Sequence, residues 1–143
     1  MPARLEPVEG IHDLVGLRLA GETDSLGIER TVALRFEDHL LRRFGEAEIV
    51  RLPAGTSLNQ PAREIADEVW ILVDGRAVFE WRDRRDSSPT NGATARLECD
   101  EPMALLVPFG VAFSLQAQTP LILVRLASHT DDGAPPIANG PSA

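Results

Sequence analysis

The chain has 143 residues, enough for one domain with a real core, and its 43% hydrophobic and 25% charged residues are ordinary for a globular protein. Its 22 Asp+Glu against 14 Lys+Arg give a formal net charge of −8, which disfavours nucleic acid and anionic membrane surfaces as partners. The single cysteine, Cys99, permits neither an intramolecular disulfide nor a thiolate zinc or iron–sulfur site, and it reads as a small buried apolar residue.

In chain order, residues 1–10 are rich in Pro and Glu and read as a flexible N-terminus. They hold no signal-peptide apolar region, and no run approaches the ~18 apolar residues of a membrane span, so a cytoplasmic protein is expected. Alternation predicts a strand over Thr31–Phe36; Phe36, Leu40 and Phe44 then recur at helical spacing up to Gly45, predicting one short helix. Ala47–Leu52 reads as a strand and Pro53–Asp67 as a polar loop. Glu68–Val73 and Arg76–Arg82 flank Asp74-Gly75, the signature of a two-residue hairpin.

Beyond a loop at Asp83–Gly92, strands are predicted at Ala93–Glu98, Ala104–Val107, Val111–Gln116 and Leu121–Leu126. The charged run Arg82–Asp86 reads as a solvated turn and Pro89–Gly92 as turn chemistry. The tail over 131–143 offers almost nothing to bury and is expected to be disordered. The core domain is thus 11–130, an all-β closed or sandwiched fold with one short helix. Val69 to Val73 is apolar at every position, so that strand must be covered on both faces, by another sheet or another subunit. His12, His39 and His129 read as solvated.

Gly55, Pro61, Arg63, Glu68 and Gly75 fall where cupin sequences carry a glycine, a His-x-His pair, a glutamate and a second glycine. Pro108, Gly110 and Phe113 match the cupin Pro-x-Gly-x-x-His element, with Phe113 in place of the histidine. Asp83, Arg85, Ser88, Pro89, Thr90 and Gly92, together with Leu106–Gln116, resemble two stretches of the dTDP-4-dehydrorhamnose 3,5-epimerase family. Asp24–Glu29 and Gly55–Gln60 resemble two more. The resemblance implies a cupin-type double-stranded β-helix, a jelly-roll barrel, that pairs as a homodimer.

It also implies an altered site. The family's base histidine falls near Leu58 or Asn59, its lysine on Glu68, its aspartate on Phe79 and a second histidine on Phe113. Only Gln60 survives in kind, and the chain contains no tyrosine. No metal and no other cofactor is expected, because Glu68 stands without an imidazole neighbour in its motif.

If Glu68 points inward, alternation brings Trp70 and Leu72 in beside it, and Ala77, Phe79, Trp81 and Phe113 face the same space. An inward carboxylate among aromatic rings is desolvated, which favours its neutral acid form and suits it to proton transfer. Glu68 is therefore the candidate catalytic group, with Gln60, Arg63, Trp70, Phe79, Trp81, Phe113, Arg51 and Asn59 as candidate binding residues. Pairing with Arg63 or Arg51 would instead make Glu68 structural.

The first functional reading is a metal-independent isomerase, epimerase or cyclase acting on a sugar nucleotide or an aromatic, polyketide-like molecule. The alternative is an inactive cupin that binds a small ligand or a partner subunit. The interior is a pocket in the first case and a packed core in the second.

Overall fold

A computed structural model of the chain describes residues 5–35 and 38–130. The strands are β1 (Leu5–Pro7), β2 (Val15–Arg18), β3 (Glu22–Thr23), β4 (Glu29–Arg30), β5 (Glu46–Leu52) and β6 (Ser57–Gln60). They continue with β7 (Glu68–Asp74), β8 (Ala77–Asp83), β9 (Thr94–Cys99), β10 (Met103–Val107), β11 (Val111–Ala117) and β12 (Leu121–Ala127). A six-stranded sheet runs in the order β1-β2-β10-β7-β12-β5, and a four-stranded sheet in the order β6-β11-β8-β9; β3 and β4 pair as a separate ribbon.

The two larger sheets share one interior. Alternation along β7 sends Trp70 and Leu72 inward, where they join Phe79 and Trp81 of β8, Phe113 and Leu115 of β11 and Leu121 and Leu123 of β12. Val69 and Ile71 point to the opposite face, against Leu40, Leu41, Ala33 and Leu34. The second cover of this apolar strand is therefore the chain's own residues 33–34 and 40–41.

That segment corrects two expectations. Thr31–Arg35 is irregular rather than a strand, and no α-helix occurs among the described residues. Asp38 donates to the Arg35 carbonyl and receives the Arg35 N–H on its carboxylate, closing a turn. His39 then adopts φ 55°, a left-handed conformation that a right-handed helix cannot continue through. Phe36 lies outside the described residues. Of the other two periodic residues, Leu40 is buried while Phe44 is 68% exposed.

The expected Asp74-Gly75 hairpin is a turn between sheets. β7 pairs with β10 and β12, whereas β8 pairs with β11 and β9. Gly75 has φ 107°, and a Cβ there would run into the Pro120 carbonyl oxygen, so the crossing needs glycine. A short turn between two apolar strands carries the same local signal whether the strands pair or part.

Further differences are smaller. The Pro53–Asp67 loop contains β6, which pairs with β11. β2 was not anticipated, and Leu5–Pro7 of the expected flexible N-terminus is the edge strand beside it. The tail over 131–143 lies outside the described residues.

Candidate functional site

Trp70, Phe79, Trp81 and Phe113 each keep 1% of their surface exposed. Trp70 meets Phe113 edge-on at 5.2 Å between ring centroids, Phe79 stacks on Trp81 at 5.4 Å, and Phe79 lies 6.2 Å from Phe113. Rings in mutual contact at that burial fill the space between the sheets. The four aromatic candidates come together as expected, but as core. The Trp81 Nε1–H is buried without an acceptor.

Glu68 is 2% exposed at the start of β7. Arg125, inward on β12, donates from Nε to Glu68 Oε2 at 2.7 Å and from Nη1 to Glu46 at 2.8 Å. Trp70 Nε1 donates to Glu68 Oε1 at 3.1 Å and Gln60 Nε2 to Oε2 at 3.2 Å. Arg63 Nε stands 3.7 Å from Oε2, within ion-pair range. Glu68 thus accepts one charge-assisted bond and two neutral ones. The arginine partner that the sequence left open for Glu68 is Arg125, with Arg63 at ion-pair range.

The main partner, Arg125, was missed, although its signal was present. In Leu121-x-Leu123-x-Arg125 the arginine sits on the inward side of β12, opposite Trp70 of the neighbouring β7, two residues along from Glu68. Two candidates do not reach the site. Arg51 is exposed on the outer side of β5, since Val50 and Leu52 take the inner one. Asn59 is exposed on β6, opposite Ser114 on the outer face of the four-stranded sheet.

The charged run read as a solvated turn holds a second buried pair. The Asp83 side chain is fully buried, and the Arg85 side chain is 10% exposed. Arg85 donates to both Asp83 oxygens at 2.9 Å, while Ser88 and Thr90 hydroxyls each donate to Oδ2 at 2.6 Å. Burial alone would raise the Asp83 carboxyl; the bonds from Arg85, Ser88 and Thr90 outweigh it and hold the group far below the usual carboxylate range. Arg85 also donates to the His12 carbonyl, and the His12 N–H donates to Thr90. The Asp-x-Arg…Ser-Pro-Thr-x-Gly stretch thus clamps the N-terminal segment carrying buried Ile11 and Leu14. Its role here is structural.

Open space lies at the end of the barrel. A cavity of about 700 Å³ is lined by three arginines (Arg63, Arg84, Arg85), two acids (Glu64, Asp86), Ser87, Ile65, Phe109 and Gly110. Arg63 belongs to both places, bordering the cavity and approaching Glu68. Ile65 and Phe109 are about half exposed there, at 52% and 48%. Gly110 has φ 80°, and a Cβ would strike the Arg85 side chain lying over it, which accounts for glycine in Pro108-Phe109-Gly110.

Among the described residues no three His, Cys, Asp or Glu side chains gather as metal ligands would. No helix among them is long and apolar enough to cross a membrane. Burial, with the nearby Asp100 and Glu101 charges, pushes the Cys99 thiol up to about 11, so it is no nucleophile at neutral pH.

No protein-family model matches the sequence, and no curated protein matches it. Solved structures match in fold. A dTDP sugar isomerase from Desulfovibrio desulfuricans G20 aligns with a TM-score of 0.74 at 17% identity, over 90% of this chain and 85% of that one. RmlC from Streptococcus suis, in complex with dTDP-D-xylose, gives 0.75 at 19% identity over 91% and 71%. A dTDP-4-dehydrorhamnose 3,5-epimerase from Sulfolobus tokodaii gives 0.72 at 20% identity over 89% and 76%. The chain has the cupin jelly-roll fold of these proteins.

Proposed function

We propose that this chain is a non-catalytic cupin that binds a sugar nucleotide at the open end of its barrel. The observation that carries the reading is the Glu68–Arg125 pair beneath four interlocked aromatic rings. Epimerisation beside a ketone needs a base free to take a proton and room for the substrate next to it. The inward carboxylate is held by Arg125, Trp70 and Gln60, and the space it faces is occupied.

The ligand then belongs at the 700 Å³ cavity. Guanidinium groups suit a diphosphate because they bond its oxygens in pairs, and Phe109 offers a face on which a planar base can stack. The same fold carries dTDP-D-xylose in the Streptococcus suis protein, which supports a nucleotide-sugar ligand for this chain as well.

Two measurements test the reading. Calorimetric titration with dTDP should show binding that Arg84→Ala weakens by about tenfold or more; no binding at millimolar dTDP would sink the ligand assignment. Solvent deuterium exchange into a dTDP-4-keto-6-deoxy sugar should stay at the uncatalysed rate. Rapid exchange abolished by Glu68→Gln would instead establish the isomerase reading with Glu68 as its acid/base group.

A further inference from the structure

Of the residues lining the 700 Å³ cavity, Arg63 is the one within ion-pair range of Glu68 among the described residues. Its backbone is pinned, because the Gly110 N–H donates to the Arg63 carbonyl at 2.8 Å. The guanidinium is therefore the part that can shift. Its Nε lies 3.7 Å from Glu68 Oε2, close enough for ionic attraction but beyond hydrogen-bond length. Glu68 Oε2 is meanwhile bonded by Arg125 Nε at 2.7 Å and by Gln60 Nε2 at 3.2 Å. Arg63 is thus the more loosely held of two cations that share one carboxylate.

Arg125 is itself divided. Its Nη1 donates to Glu46 at 2.8 Å and lies 3.4 Å from Glu48. Charges of alternating sign therefore run from Glu46 and Glu48 through Arg125 and Glu68 to Arg63, and Arg63 borders the cavity. The Arg125, Glu68 and Arg63 side chains are 2%, 3% and 10% exposed, so solvent and salt screen these interactions little. An anion in the cavity draws the Arg63 guanidinium outward, while Glu68 draws it inward. The stronger the hold of Arg125 on Glu68, the weaker the inward pull on Arg63.

We propose that Glu68 is a tether on Arg63 that sets the affinity of the cavity for a diphosphate, and that Arg125 sets the strength of the tether. This rests on the ligand reading above, because a diphosphate is the group that competes with Glu68 for the guanidinium. Glu68 is then a positioning residue, acting on the ligand through Arg63. The two buried partners, Glu68 and Arg125, have opposite effects on binding although both support the same barrel.

Calorimetric titration of the full chain with dTDP, and separately with inorganic pyrophosphate, tests it. Glu68→Gln removes the inward pull and should bind dTDP about fivefold or more tighter than the wild type. Arg125→Met leaves Glu68 to Arg63 and should bind it about fivefold or more weaker. Damage to the barrel would weaken binding in both, so opposite signs are a result that a merely structural role does not produce. In an Arg63→Gln background, Glu68→Gln should change the affinity by no more than about twofold. A thermal melt of each variant checks folding, and Glu68→Asp or Arg125→Lys, with the same expected directions, replaces one that is unfolded. Shifts of the same sign in the two variants overturn the tether, and so does a gain that persists without Arg63. Pyrophosphate binding in the expected order without dTDP binding would keep the tether and remove the nucleotide from the ligand reading. Binding of neither overturns both.

Discussion

At the residue scale, the interior is decided by one contact. Arg125 neutralises Glu68 inside the barrel, and both side chains are almost fully buried. Arg125→Met removes the nearer cation and leaves the buried carboxylate with only the more distant Arg63 at 3.7 Å. Urea unfolding should show a loss of roughly 3–5 kcal/mol. Adding Glu68→Leu should return most of that stability, because an apolar pair of similar volume has no charge to desolvate. A cost below ~1 kcal/mol for Arg125→Met alone would mean that the pair is not what fixes Glu68. The sequence showed which residues face inward, since alternation suffices for that. It did not show that Arg125 reaches Glu68, because strands distant in the chain become neighbours only through sheet order.

At the element scale, the 83–92 loop acts as a clamp with a definite pH response. The folded-state Asp83 carboxyl lies below its unfolded value, so its stabilisation is present at neutral pH. It is lost as pH falls from about 5 through the unfolded value near ~4 and downward. Melting temperature should therefore decline on the acid side, and Asp83→Asn should both lower it at pH 7 and flatten that decline. An unchanged acid limb in Asp83→Asn would assign the acid response to other groups. The Gly75 crossing makes a second element-scale case. Gly75→Ala must place a side chain at φ 107° against Pro120, and should cost more than about 1 kcal/mol by chemical denaturation. The turn itself was readable from Asp74-Gly75, whereas its joining of two sheets was not, because the local chemistry of a tight turn is the same in both settings.

On the scale of the whole molecule, the strand pairings join distant parts of the chain. Met103 pairs with Arg18, and Leu121 with Leu52. Such pairings need large loops to close before they are rewarded, so refolding followed by stopped-flow tryptophan fluorescence should take milliseconds to seconds rather than microseconds. Both tryptophans sit in the aromatic core, so their signal reports its assembly. A microsecond phase carrying the full amplitude would show that the core forms from local contacts instead.

The sequence by itself determined the all-β class, most strand positions, the inward set Glu68, Trp70, Phe79, Trp81 and Phe113, and the resemblance that led to the cupin barrel. These follow from period-two alternation and from glycines at fixed spacing, which are properties of neighbouring residues. Tertiary structure alone decided that the aromatic interior is packed and that Glu68 belongs to Arg125. It also showed that the Asp83 loop clamps the N-terminal segment, and that the open volume lies at Arg63 and Phe109. Whether a ring of aromatic side chains encloses a pocket or fills it depends on distances across the barrel, and no local pattern encodes those.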